Sequence, residues 1–262
     1  MQNNSIVKPS DFQLVTSSVM CYAHSMRIDF HSHFPSPDSI VCTAEPCPEL
    51  LSLPEPDPAR PVADTQCTRP SLMLFQGLLP DRWTEAKQAQ LFSLLASDKH
   101  IHLGEVGLDK RFSDLIPMQI QADILRSELE FALQNGKNIC LHCVRATGLM
   151  LEILGGLTLR PFSVIWHGFT GSAETARQLA GMNIIISIGP RFTGAISDIY
   201  GANPDTVPET DYEGTDAREH RQMLESQYTR FERELNLSGQ NLETHCENVF
   251  RKLNTTEPNA AR

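Results

Sequence analysis

The chain reads as an α/β protein, a single-domain (β/α)8 barrel of the TIM type. Three observations predict it. Short apolar runs of strand length alternate with longer helix-like stretches, as in a parallel sheet wrapped by helices. Eight such runs fall within roughly 235 residues, the size of one barrel. Histidines and acids recur at the carboxyl ends of the runs, which a barrel gathers on one face.

The elements follow in order. Residues 1–25, MQNNSIVKPSDFQLVTSSVMCYAHS, are polar and weakly patterned. They read as an N-terminal extension to a domain spanning 26–262, either flexible or a non-native start, with Met20 and Met26 as alternative first residues. Strands are expected at Met26–Phe30, Ser39–Thr43, Leu72–Leu78, Ile101–Glu105, Asn138–His142, Ser163–His167, Asn183–Ile188 and Asp205–Asp211, each a short apolar run. The last is the weakest, because Pro208 cannot donate to a ladder. Helices are expected at Thr84–Ser97, Pro117–Asn135, Ala146–Leu154, Ala173–Ala180, Asp216–Leu235 and Leu242–Leu253. The proline- and acid-rich segment Glu45–Pro70 reads as an irregular connection.

Composition narrows the function. A hydrophobic content of 40% and a charged content of 21% over 262 residues are those of an ordinary globular chain. No apolar run is long enough to span a bilayer, and the start lacks the basic and apolar regions of a secretory signal. Seven irregularly spaced cysteines then read as reduced thiols, and a cytoplasmic location is expected. The net charge of -10 argues against a broad nucleic-acid-binding surface, but not against a cleft whose acids are compensated by divalent cations.

The stretch IDFHSHF carries two of only nine histidines one residue apart. In a strand, His31 and His33 share a face. Glu105 follows HIHLG, His142 ends NICLH, His167 ends SVIWH, and Asp211 ends DTVPETD. At barrel strand ends these six converge, and four imidazoles with two carboxylates are a set that Zn²⁺ or Mn²⁺ accepts. Six donors exceed the need of one tetrahedral ion. Two ions bridged by a carboxylate and a water would use them all.

The ordered series DFHSHF, GEVGLD, LHCVRA, WHGFTGS and PETD resembles the TatD family of metal-dependent hydrolases, over roughly residues 27–254. The resemblance implies a (β/α)8 barrel, two divalent ions (Zn, Mn or Mg), and phosphodiester hydrolysis, with DNA or another phosphodiester as partner; neither a membrane nor an obligate protein partner is expected. By motif it assigns His31, His33, Glu105, His142, His167 and Asp211 as metal ligands, with Glu105 as the bridging ligand. The expected reaction is attack by a hydroxide bridging the ions, with Asp211 taking the proton from the water. Arg145 is the candidate phosphate contact, through its planar fork. Asp109 either contacts substrate or holds the GLD turn. The first amides of the helix after GFTGS could also hold an anion.

Three departures bear on substrate. The third strand ends QGLLP without the histidine many relatives carry, GLD runs into Lys110-Arg111-Phe112 in place of tyrosines, and PETD lacks a following proline. They leave a second reading open, a barrel hydrolase of a small ester, amide or phosphoester. Other pairs are set aside. His100 and His102 read as structural or surface residues, because His102 and Glu105 fall on opposite strand faces. Cys140 and Cys143 likewise diverge on their strand, which disfavours a zinc knuckle. His220 and His245, on helices, are expected to face solvent.

Overall fold

The computed structural model describes residues 27–33, 39–43, 73–161 and 163–254. The expected extension 1–25 and the connection 45–70 lie outside them. Eight strands form one parallel sheet in chain order: β1 (Asp29–Ser32), β2 (Ser39–Thr43), β3 (Met73–Gln76), β4 (Ile101–Asp109), β5 (Ile139–Val144), β6 (Val164–Trp166), β7 (Ile185–Ile188) and β8 (Thr206–Pro208). The sheet curls round until its edges meet. Beyond β8 the Asp211 amide donates to the His31 carbonyl, and the His33 amide donates to the Tyr212 carbonyl, both at 3.0 Å. The expected (β/α)8 barrel is the fold.

Helices α1 (Glu85–Ser97), α2 (Met118–Gln134), α3 (Thr147–Gly155), α4 (Ala173–Gly181), α5 (Ile196–Ala202), α6 (Ala217–Leu235) and α7 (Gly239–Asn254) follow the strands from β3 onward. Their starts are written locally. The Thr84, Ser172 and Asp216 side chains accept from amides of the first turns of α1, α4 and α6. The strands bury their apolar residues on both faces, as parallel strands covered by helices do: Ile139, Leu141, Val164, Ile165, Ile185 and Ile186 are all buried. Among the described residues no helix is long and apolar enough to cross a membrane.

The structure departs from the sequence reading in three places. Helix α5 was not expected; its seven residues, ISDIYGA, are too few to establish a period. β4 continues to Asp109, four residues past the expected end, so Glu105 lies inside the strand, next to a register shift between Leu103 and Val106. β8 is only three residues and stops at Pro208, so Asp211 sits beyond it on a turn.

Candidate metal centre

Glu105 is the hub. It points into the barrel from the middle of β4 and is almost fully buried. Two glycines let the neighbouring strands close on it. A Cβ at Gly77 would lie 2.2 Å from the Glu105 carbonyl oxygen, and one at Gly107 would lie 1.8 Å from the His142 carbonyl oxygen, so the GEVGLD glycine is required by the approach of β4 to β5.

The two carboxylate oxygens of Glu105 face different groups. Oε1 lies 2.7 Å from His31 Nε2 and 3.1 Å from His33 Nε2, and both of those nitrogens are 3.5 Å from Asp211 Oδ1. Oε2 lies 3.4 Å from His142 Nδ1 and 3.4 Å from His167 Nε2, and those two nitrogens are 3.2 Å apart. Among the described residues these are the two groups whose ligand atoms all lie within 4.8 Å of one another. In a tetrahedron with metal–ligand bonds of about 2.0–2.1 Å, adjacent donors stand roughly 3.3–3.4 Å apart. The observed separations cluster round that edge. Imidazole nitrogens and carboxylate oxygens at these separations are a donor set that fits divalent cations.

The surroundings orient these groups. His142 Nε2 lies 3.1 Å from Asp109 Oδ2, which leaves Nδ1 directed at the Glu105 side. Asp109 is itself fully buried, and the Arg111 side chain and amide donate to its carboxylate. Although burial opposes it, hydrogen bonding from His142 and Arg111 holds the Asp109 carboxyl well below its usual range. The same balance acts on Glu105. Burial raises it, but His167 and His31 beside it hold it well below the usual value. His142 answers in the opposite direction: burial lowers it, but Asp109 and Glu105 outweigh burial and raise it above its ordinary value.

The structure therefore brings His31, His33, Glu105, His142, His167 and Asp211 together, as the strand-end pattern anticipates. Asp109 is turned toward His142 and Arg111, the geometry of a group that holds its turn. Arg145 is exposed just past β5, with a left-handed backbone (φ 54°). His102 accepts from the Asn138 amide away from the site, and burial pushes it down to about 4, while His100 is exposed. Cys140 points inward, its Sγ 3.4 Å from His31 Nδ1.

One expectation is corrected. His220 does not face solvent; it is buried, with Nε2 2.8 Å from Asp29 Oδ2, because the first turn of α6 packs against the start of β1. His245 is likewise partly buried, its Nε2 3.0 Å from the Thr206 carbonyl. Three further residues escape a motif reading. Asp29 lies under the histidine pair, Glu209 accepts from the Gly168 amide and the Ser187 hydroxyl, and Arg191 reaches Asp211 from the turn after β7. Asp29 and Glu209 do stand in the DFHSHF and PETD motifs, two residues from a ligand candidate, and that adjacency is the signal that could have found them.

Fold and site together define a parallel (β/α) barrel with a candidate two-ion centre at the carboxyl ends of its strands. The family model for TatD related DNase matches residues 60–253, and the chain belongs to that family. It is 35% identical over 106 residues to the uncharacterized metal-dependent hydrolase YabD of Bacillus subtilis (strain 168), covering 40% of this chain and 41% of that protein. It is 32% identical over 117 residues to the 3'-5' ssDNA/RNA exonuclease TatD of Edwardsiella piscicida, covering 45% and 43%. These matches span about two fifths of either relative's length. The crystal structure of YjjV, a TatD homolog from Escherichia coli K12, superposes with a TM-score of 0.59 at 21% identity, over 69% of this chain and 76% of that one. At that identity the likeness is one of fold.

Proposed function

We propose that this protein is a divalent-metal-dependent hydrolase of phosphodiester bonds, most simply a nuclease, working at a two-ion site bridged by Glu105. One observation carries the reading: Glu105 presents one oxygen to His31, His33 and Asp211 and the other to His142 and His167. Family membership supports the substrate class, and the similar Edwardsiella piscicida protein is named as an exonuclease of single-stranded DNA and RNA. Bound there, two divalent ions would supply hydroxide at neutral pH and polarise a phosphoryl oxygen.

The chain's own residues do the rest. The four imidazoles and Glu105 would hold the ions in a preorganised, largely buried site, where their charge acts more strongly than in water. Asp211, at the open edge of the site, would take the proton of the attacking water. Asp109 keeps His142 in register from behind. The exposed guanidiniums of Arg145 and Arg191 offer planar forks to a phosphate, and a cleft walled by Phe169, Pro190, Phe192 and Met223 opens on Asp211.

The test is hydrolysis of bis(p-nitrophenyl) phosphate with added Zn²⁺, Mn²⁺ or Mg²⁺. The double variant His142→Ala/His167→Ala should lose it, and unchanged turnover in that variant would refute the proposal. The net charge of -10 favours a second reading, in which the substrate is a small ester or phosphoester. Binding of a single-stranded oligonucleotide that weakens steeply with salt supports the nuclease. No binding at low salt, with a small ester still cleaved, supports the alternative.

A further inference from the structure

The Asp211 side of the site is held from below by a buried polar chain that runs to helix α6. Asp29, fully buried on β1, accepts from the Thr210 amide at 2.9 Å, the Thr210 hydroxyl at 2.6 Å and the His31 amide at 3.2 Å. Its remaining neighbour is His220 Nε2 at 2.8 Å. Thr210 immediately precedes Asp211, whose backbone is left-handed (φ 52°), a conformation unusual for a residue with a Cβ. Such a turn persists only where its surroundings fix it. Here they do so on two sides: the Asp211 amide and Tyr212 carbonyl pair with the His31 and His33 backbone, and Asp29 grips Thr210. The Tyr212 ring then packs on His220, their centroids 5.6 Å apart.

Along α6, Leu224, Tyr228 and Phe231 provide the apolar packing, and His220 in the first turn and Gln227 are its buried polar residues. A buried carboxylate and imidazole are poor choices for stability alone, since apolar residues of similar volume often serve as well. They are good choices for fixing a direction.

We infer that His220 is a positioning residue for the Asp211 half of the site: through Asp29 and Thr210 it sets where the Asp211 carboxylate stands relative to His31 and His33. This rests on the two-ion reading of that site. Neither Asp29 nor His220 touches the candidate ions; each acts through the turn that carries Asp211.

The experiment compares His220→Ala with His220→Gln, whose amide nitrogen can occupy the place of Nε2. Hydrogen exchange is measured on chelator-treated protein, and bound ions per chain are counted after reconstitution with Zn²⁺. His220→Ala should speed exchange of the His33, Thr210 and Asp211 amides at least about tenfold, because their restraint is local. Exchange in β4 to β6 should stay unchanged. The same variant should weaken one ion by about 10–100-fold, the usual effect of losing an outer-shell partner, and leave the other in place. His220→Gln should restore both properties. Unchanged exchange in His220→Ala, faster exchange across the whole barrel, or retention of both ions at wild-type affinity would each overturn the inference. If the wild-type protein binds no ion, the two-ion reading fails, and the local exchange result still decides whether His220 fixes the Asp211 turn.

Discussion

Glu105 and Glu128 are both glutamates buried in the same barrel, and they end in opposite states. Burial pushes each carboxyl up. At Glu105 the histidines of β1, β5 and β6 oppose it and win, holding the group well below the usual range. At Glu128, on the buried face of α2, only the Gln88 side chain opposes, and burial pushes the carboxyl up to about 8. Burial is common to both, so it cannot be what marks a site. The marker is the partner set: a charge kept ionised in the interior among nitrogen donors can hold a cation, and a lone buried carboxyl takes a proton instead.

The comparison breaks most completely if Glu105 loses its partners. Substituting His167→Ala removes the first of the partners that hold it ionised, and kcat/KM on a phosphodiester should fall by at least about 10²–10³-fold, the scale of losing one preorganised electrostatic group. A smaller step is Asp109→Asn, which keeps the shape behind His142 and removes the negative charge. Metal titration should show a loss of about 10–100-fold in affinity confined to the ion facing Glu105 Oε2. Arg191→Ala acts only at the rim. Its side chain is 76% exposed, so KM for an oligonucleotide should rise several-fold, roughly 1 kcal/mol or less, with kcat nearly unchanged.

The last effect is on stability alone and falls at Glu128. In the folded chain it keeps its proton up to about 8, against 4.5 in the unfolded chain. The folded state therefore binds the extra proton between those values, and stability falls as pH rises through that window. Glu128→Gln removes the dependence. Its Tm should gain on the wild type from pH 5 to pH 8, by about 2–4 °C for each kcal/mol. Parallel Tm profiles for the two proteins would show that Glu128 is not held neutral.

The barrel and the six converging residues were legible because the chemistry demands scarce residue types at fixed strand positions. His31 and His33 stand two apart on one face, His142 and His167 lie at or near a strand's carboxyl end, and Glu105 lies inside β4. What was not legible depends on long-range partners. Nothing in the helical period of α6 says that its first-turn histidine meets a carboxylate 191 residues earlier. The end of β4 was misplaced because the local sequence cannot show that pairing with β5 carries the strand on to Asp109. Helix α5 is too short for periodicity, and the turn that places Asp211 is set by hydrogen bonds to β1, not by its own residues.

The central claim is that Glu105 bridges two ions, and counting ions in Glu105→Gln tests it most directly. The substitution keeps the side chain's shape, removes its charge and replaces one ligand oxygen with a nitrogen that donates. Wild-type protein and the variant are stripped with chelator, reconstituted with Zn²⁺, freed of excess and analysed for metal per chain. Two ions in the wild type and at most one in Glu105→Gln is the predicted result. One ion in the wild type, retained in the variant, would contradict the bridged pair.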